Sequence, residues 1–138
     1  MTTEHWFKSH LRELRKDDCL ELLANHTVGR LCFVDTGGPM VMPVNYRVLG
    51  DQILIATSPF GEIARHAVDN DVALEIDETD DYSETGWSVV VRGHATRQTQ
   101  DSLPPDRDEW PQPWAEGTRS LVISISPRLI TGRRLLPA

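Results

Sequence analysis

A chain of 138 residues, 39% hydrophobic and 25% charged, has the length and balance of one globular domain around a modest core. Fourteen Lys and Arg against 21 Asp and Glu give a net charge of −7, which argues against nucleic acid as a partner. No apolar run approaches the ~20 residues that span a bilayer, and Met1 to His10 lacks the apolar core of a secretory signal, so a cytoplasmic protein without membrane contact is expected.

The first 27 residues read as a helical segment. Leu11 and Leu14 share one helical face, and a second helix begins near Asp18, where Asp18 and Glu21 have the spacing of a capping box. Leu20, Leu23 and Ala24 supply its apolar stripe.

The period changes from helical to alternating at Val28. Leu31 and Phe33 point one way, Arg30 and Cys32 the other. Turns at 35–39 and 49–51 separate this strand from Met40 to Val48 and from Gln52 to Thr57, so the three form an antiparallel meander. The stretch 58–61 breaks the sheet, and Glu62 to Val68 reads as a short helix ended by Asp69-Asn70. Val72, Leu74 and Ile76 alternate in the next strand. The acidic stretch Asp77 to Glu84 reads as a solvated loop, because it lacks the spacing and turn glycine of a calcium loop. Gly86 to Arg97 is the strongest strand, with Trp87, Val89, Val91 and Ala95 on one parity. Leu103 to Gly117 is rich in proline and tryptophan and has no clean period. Arg119 to Ser126 alternates, Pro127 interrupts, and Leu129 to Leu135 is expected as a last edge strand. Six or seven short strands in this order favour a mainly β fold, an antiparallel barrel over residues 28–138, above a parallel sheet. The whole chain, 1–138, reads as one domain.

Several chemistries fail on the residues. Gly37-Gly38 lies between strands and does not open a helix, so a dinucleotide fingerprint is absent. His5, His10, His26, His66 and His94 show no metal spacing with each other or with Cys19 and Cys32, and no metal is expected. Ser58 and Ser88 lack the flanking pattern of a nucleophile. One segment has the form of an anion site: Thr57 and Ser58 precede a helix start, where hydroxyls and free amides could hold a phosphate. A simply N-capped helix explains the same residues equally well.

Taken in order, Val28-Gly29-Arg30-Leu31, Pro43-Val44-Asn45-Tyr46, Thr57 to Gly61, Gly86-Trp87-Ser88-Val89, Pro113-Trp114-Ala115 and Thr131-Gly132-Arg133-Arg134 resemble the pyridoxamine 5′-phosphate oxidase-like FMN-binding split barrels, in particular their small actinobacterial-type members. The likeness covers residues 11 to 135. It implies a six- to seven-stranded split β-barrel with a few short helices, working as a homodimer with flavin mononucleotide in a cleft at the subunit interface. By the same resemblance, Pro43, Val44, Asn45 and Tyr46 line the flavin ring. Thr57, Ser58 and Gly61 face the phosphate, and Trp87 and Ser88 border the ring; Arg65 or Arg133 is read, apart from the resemblance, as the cation that would compensate for the basic residues this chain lacks. Other readings remain open at these positions, with Tyr46 as a core residue and Trp87 as a core or dimer-contact aromatic. Relatives place basic residues where this chain has Ala56 and Glu62, and a carboxylate beside a phosphate is repulsive.

The expectation is therefore an FMN-dependent oxidoreductase acting on an unknown small molecule. Its flavin carries the redox chemistry, and no residue can be named as catalytic. The alternative is a split barrel that binds a deazaflavin coenzyme or no cofactor and has a binding role.

Overall fold

The computed structural model describes residues 10–138. In chain order they form β1 (His10–Glu13), α1 (Lys16–Ala24), β2 (Val28–Asp35), β3 (Gly38–Leu49), β4 (Gln52–Thr57), α2 (Glu62–His66), β5 (Asp71–Asp80), β6 (Thr85–Arg97) and β7 (Leu121–Leu136), with short 3-10 turns at Gln100–Ser102 and Arg107–Glu109. Among these residues no helix is long and apolar enough to cross a membrane.

The strands run in the order β1-β7-β4-β3-β2-β5-β6, and a further pairing of β6 with β7 closes a ring. Every pairing is antiparallel. Alternation builds the barrel interior: Leu31 and Phe33 from β2, Val44 and Tyr46 from β3, Ile53 and Ile55 from β4, Leu74 and Ile76 from β5, Val89 and Val91 from β6, and Ile123 and Ile125 from β7 are all buried. Leu54 and Val122 face the other way, under Leu103 and Trp110 of the long β6–β7 connection.

One edge of β7 pairs continuously with β6, while its other edge pairs first with β4 at Leu121–Ile125 and then with β1 at 133–136. The seam between β4 and β1 is where the barrel is split. Helix α1 packs there, with Cys19 fully buried. Gly132 makes this possible, because a Cβ at that position would stand 2.6 Å from the Cys19 sulfur.

Several sequence expectations are corrected. The helical reading around Leu11 and Leu14 gives way to strand β1, which pairs His10 with Leu136 and Glu13 with Arg133; the rest of that reading, residues 1–9, lies outside the described residues. Helix α1 starts at Lys16, two residues before the expected capping box, with Arg15 at the N-cap and no side-chain cap. Asp17 and Asp18 sit in its first turn, where negative charge suits the helix dipole. The acidic stretch is strand as far as Asp80, opposite Thr85, and only the tip turns, with Glu84 at φ 54°. Leu129 to Leu135 is no separate edge strand. Strand β7 runs through Pro127, which lies opposite Gly93, while Leu129 lies opposite Arg92, so Arg128 is the extra residue of a bulge.

Candidate functional site

Residues 42–45 of β3, the end of β4 and the turn into α2 form one wall of a cleft of about 260 Å³. Pro43, Val44 and Asn45 come from β3, Thr57 from β4, and Ser58 and Gly61 from the turn, so six residues expected at the site lie together. Ser58 ties the turn by accepting the amide of Phe60 on its Oγ at 3.2 Å. The opposite wall is the segment after Trp110, through Pro113 and Ala115, and it ends at Arg119.

Two features give this cleft its chemistry. The first is Asn45. Its Oδ1 accepts the backbone N–H of Trp114 at 2.9 Å, which fixes which end of the carboxamide faces that segment. Its Nδ2 is buried and has no hydrogen-bond partner among the described residues, and a buried amide without an acceptor costs about 1–3 kcal/mol. The second is Arg119, whose hydrogen bond among the described residues is to the carbonyl of its neighbour Thr118 at 3.3 Å. That leaves most of the guanidinium free for an anion. Sequence reasoning missed Arg119. The signal available was its position as the sole cation between Arg107 and Arg128, directly before an alternating strand.

Glu62 also lines the cleft. It is held by Arg65 at 2.5 Å and by His66 Nε2 at 3.3 Å, so its carboxylate is engaged on the side of α2. Arg65 is therefore spent on Glu62 and on the carbonyl of Phe60, at 2.8 Å, and does not line the cleft. Arg133 lies far off, opposite Glu13 and Ser88.

The remaining expected residues sit elsewhere. Tyr46 points into the core, where its hydroxyl donates to the carbonyl of Leu23 at 2.7 Å and burial pushes its phenol well above the ordinary range. Trp87 lines a separate hollow of about 730 Å³ with Glu78, Asp80 and Arg134, and meets His26 edge-on at 4.9 Å between ring centres. Ser88 lies next to Trp87 on β6, opposite Asp77. In the ring, β6 is three strands from β3 by either route, so these two residues are across the barrel from the cleft.

A second polar cluster lies on the outer wall. Arg30 bridges Glu75 at 3.1 Å and Asp77 at 3.3 Å. Burial and the neighbouring Asp77 carboxyl push Glu75 up to about 7, and Arg30 offsets part of that effect.

A closed antiparallel ring with one seam covered by a helix, and a polar cleft in its wall, has the form of a split β-barrel. The family model for pyridoxamine 5′-phosphate oxidase matches residues 15–134, and the chain belongs to the pyridoxamine 5′-phosphate oxidase-like, FMN-binding split-barrel family. The uncharacterized protein Rv0080 of Mycobacterium tuberculosis is 31% identical over 129 residues, covering 90% of this chain and 85% of that one. Among solved structures, a Corynebacterium glutamicum protein named as a candidate pyridoxamine 5′-phosphate oxidase is similar at TM-score 0.77 and 27% identity, over 92% of this chain and 99% of that one. An FAD-binding protein of Mycobacterium smegmatis is similar at TM-score 0.68 and 26% identity, over 91% and 98%.

Proposed function

We propose that this chain binds flavin mononucleotide in the β3–β4 cleft and works as a flavin-dependent oxidoreductase on a small molecule. The observation that carries the reading is the unpaired Nδ2 of Asn45 in a wall shared with Thr57, Ser58 and Arg119. A flavin offers ring carbonyls and nitrogens to the carboxamide, and its phosphate suits the hydroxyls and the guanidinium. When bound, the flavin supplies the hydride or electron chemistry. The chain's own residues bind and orient it: Asn45 donates to the ring, Pro43 offers an apolar wall, and Arg119 neutralises the phosphate. The M. smegmatis relative's FAD supports a flavin of either length.

A homodimer follows from the same reading. Trp87 and Ser88 stand across the barrel from the cleft, so they border a bound ring only if a second copy brings them to it. The alternative, a deazaflavin-binding or cofactor-free barrel, draws on Glu62 and Ala56 in the cleft wall.

The test is titration of the purified protein with FMN and with FAD, followed by flavin fluorescence and calorimetry, with the oligomeric state read by sedimentation. One flavin per subunit of a dimer is expected. Arg119→Gln weakens binding about tenfold to a hundredfold, as loss of a charge-assisted bond does, and Glu62→Lys tightens it. No binding of either flavin at high micromolar concentration refutes the flavin reading and moves the test to a deazaflavin coenzyme, then to a cofactor-free barrel.

A further inference from the structure

On the far side of the segment that walls the cleft lies a second groove, of about 460 Å³, between the end of α1, β3 and residues 110–114. Trp110 and Trp114 give it aromatic surface, and Arg47 stands at its edge. The two tryptophans differ in a useful way. Trp110 is fixed, its indole N–H donating to the carbonyl of Pro104 at 2.8 Å and its ring lying under the guanidinium of Arg107 at 5.1 Å. Trp114 is 75% exposed, a large apolar face left to water beside a ready-made concavity.

The charge pattern is the second observation. In a chain of net charge −7, no carboxylate among the described residues lines this groove. The cleft carries Glu62, and the hollow beside Trp87 carries Glu78, Asp80 and Asp81. His26, which also lines the groove, has Glu78 at 3.7 Å from its Nε2, and Asp108 and Glu109 directly precede Trp110 in the chain without lining the groove. Arg47 makes no ion pair among the described residues; it donates to the backbone carbonyl of Asp108, which holds the guanidinium in place with its other N–H groups open.

We infer that this groove is a second ligand site, which takes a planar aromatic carboxylate with its ring against Trp114 and its carboxylate on Arg47. A flat guanidinium pairs with a carboxylate through two parallel hydrogen bonds, a match a neutral or cationic ligand does not offer. A single fixed arginine suits a monoanion better than a doubly charged phosphate. The ring contributes through offset or edge-to-face contact with the indole. The inference does not rest on flavin binding: the groove and the cleft share no lining residue, although one segment serves both, with Trp114 lining the groove and its backbone N–H donating to Asn45 of the cleft.

The test is calorimetric titration of the intact protein with 2-naphthoate and, in parallel, with the neutral isostere 2-naphthalenemethanol. One naphthoate per chain is expected, with a Kd of roughly 0.1 mM for a ligand of this size, and the alcohol at least about tenfold weaker. Arg47→Gln and Trp114→Ala each weaken naphthoate about tenfold; both side chains are exposed, so unchanged melting temperatures verify that the variants are folded. Arg119→Gln leaves naphthoate binding unchanged. The proposal is overturned by no heat up to millimolar naphthoate, by equal binding of acid and alcohol, or by loss of binding in Arg119→Gln with Arg47→Gln unaffected, which would put the ligand in the cleft.

Discussion

Replacing Glu75 by Gln removes a carboxyl that the fold keeps protonated to unusually high pH. In the folded chain Glu75 is pushed up to about 7 from an ordinary 4.5, first by burial and then by Asp77. Below pH 4.5 the group is protonated in both folded and unfolded chains and changes nothing. As pH rises from there to about 7 the unfolded chain ionises first, so stability falls across that window, and above it the full loss is present. The span between 4.5 and about 7 corresponds to about 3 kcal/mol; the side chain is 26% exposed, so water removes part of this and about 2–3 kcal/mol remains. Arg30 keeps Asp77 as a partner at 3.3 Å in the variant. Urea unfolding of both proteins at pH 5 and pH 8 measures the difference. Glu75→Gln gains about 2–3 kcal/mol over the parent at pH 8 and less than about 1 kcal/mol at pH 5. A gap equal at the two pH values, or a variant less stable at pH 8, refutes the reasoning.

Tyr46→Phe leaves the Leu23 carbonyl without its 2.7 Å hydroxyl donor, so calorimetry should show a loss of about 1–2 kcal/mol and a Tm lower by about 3–8 °C; an unchanged Tm means the bond adds nothing. At Gly93 an alanine Cβ would stand 2.3 Å from the Ser126 carbonyl oxygen across the bulge. Gly93→Ala therefore loses upwards of about 3 kcal/mol or fails to give a cooperative melt, and a variant melting like the parent shows that the bulge can move.

The strands that the sequence revealed are those with one face in the barrel. Val89, Val91 and Ala95 are buried and their neighbours Ser88, Val90, Arg92 and His94 are not, because the ring has an inside and an outside, and that period is visible without any knowledge of partners. Strand β1 has no such signal. All four of its residues are exposed, and they are held extended by backbone pairing with β7, which no local pattern encodes. The acidic stretch misled for a related reason: a run of like charge reads as solvated, but in the sheet Asp77 faces Arg30 and Glu78 approaches His26. Pro127 suggested a break because proline cannot donate to a ladder, and a bulge accommodates it. At the site, the six residues drawn from two nearby segments, 43–45 and 57–61, were legible together. Trp87 and Ser88 belong to the opposite wall, and Arg119 reaches the cleft only through the return of the chain from β6 to β7.

Strand β7 has a consequence for how the molecule is made. Its residues pair with His10 to Glu13, with Ile53 to Thr57 and with Gly86 to Arg97, so it stitches together segments from along the described chain. During vectorial synthesis these partners emerge long before residues 121–136, and until then the β4 edge and one edge of β6 stand open. Such contacts between distant segments make closure slow, and open edges invite pairing with other nascent chains. Closure of the ring thus waits on its last strand, and the edges of β4 and β6 are protected only once β7 has docked.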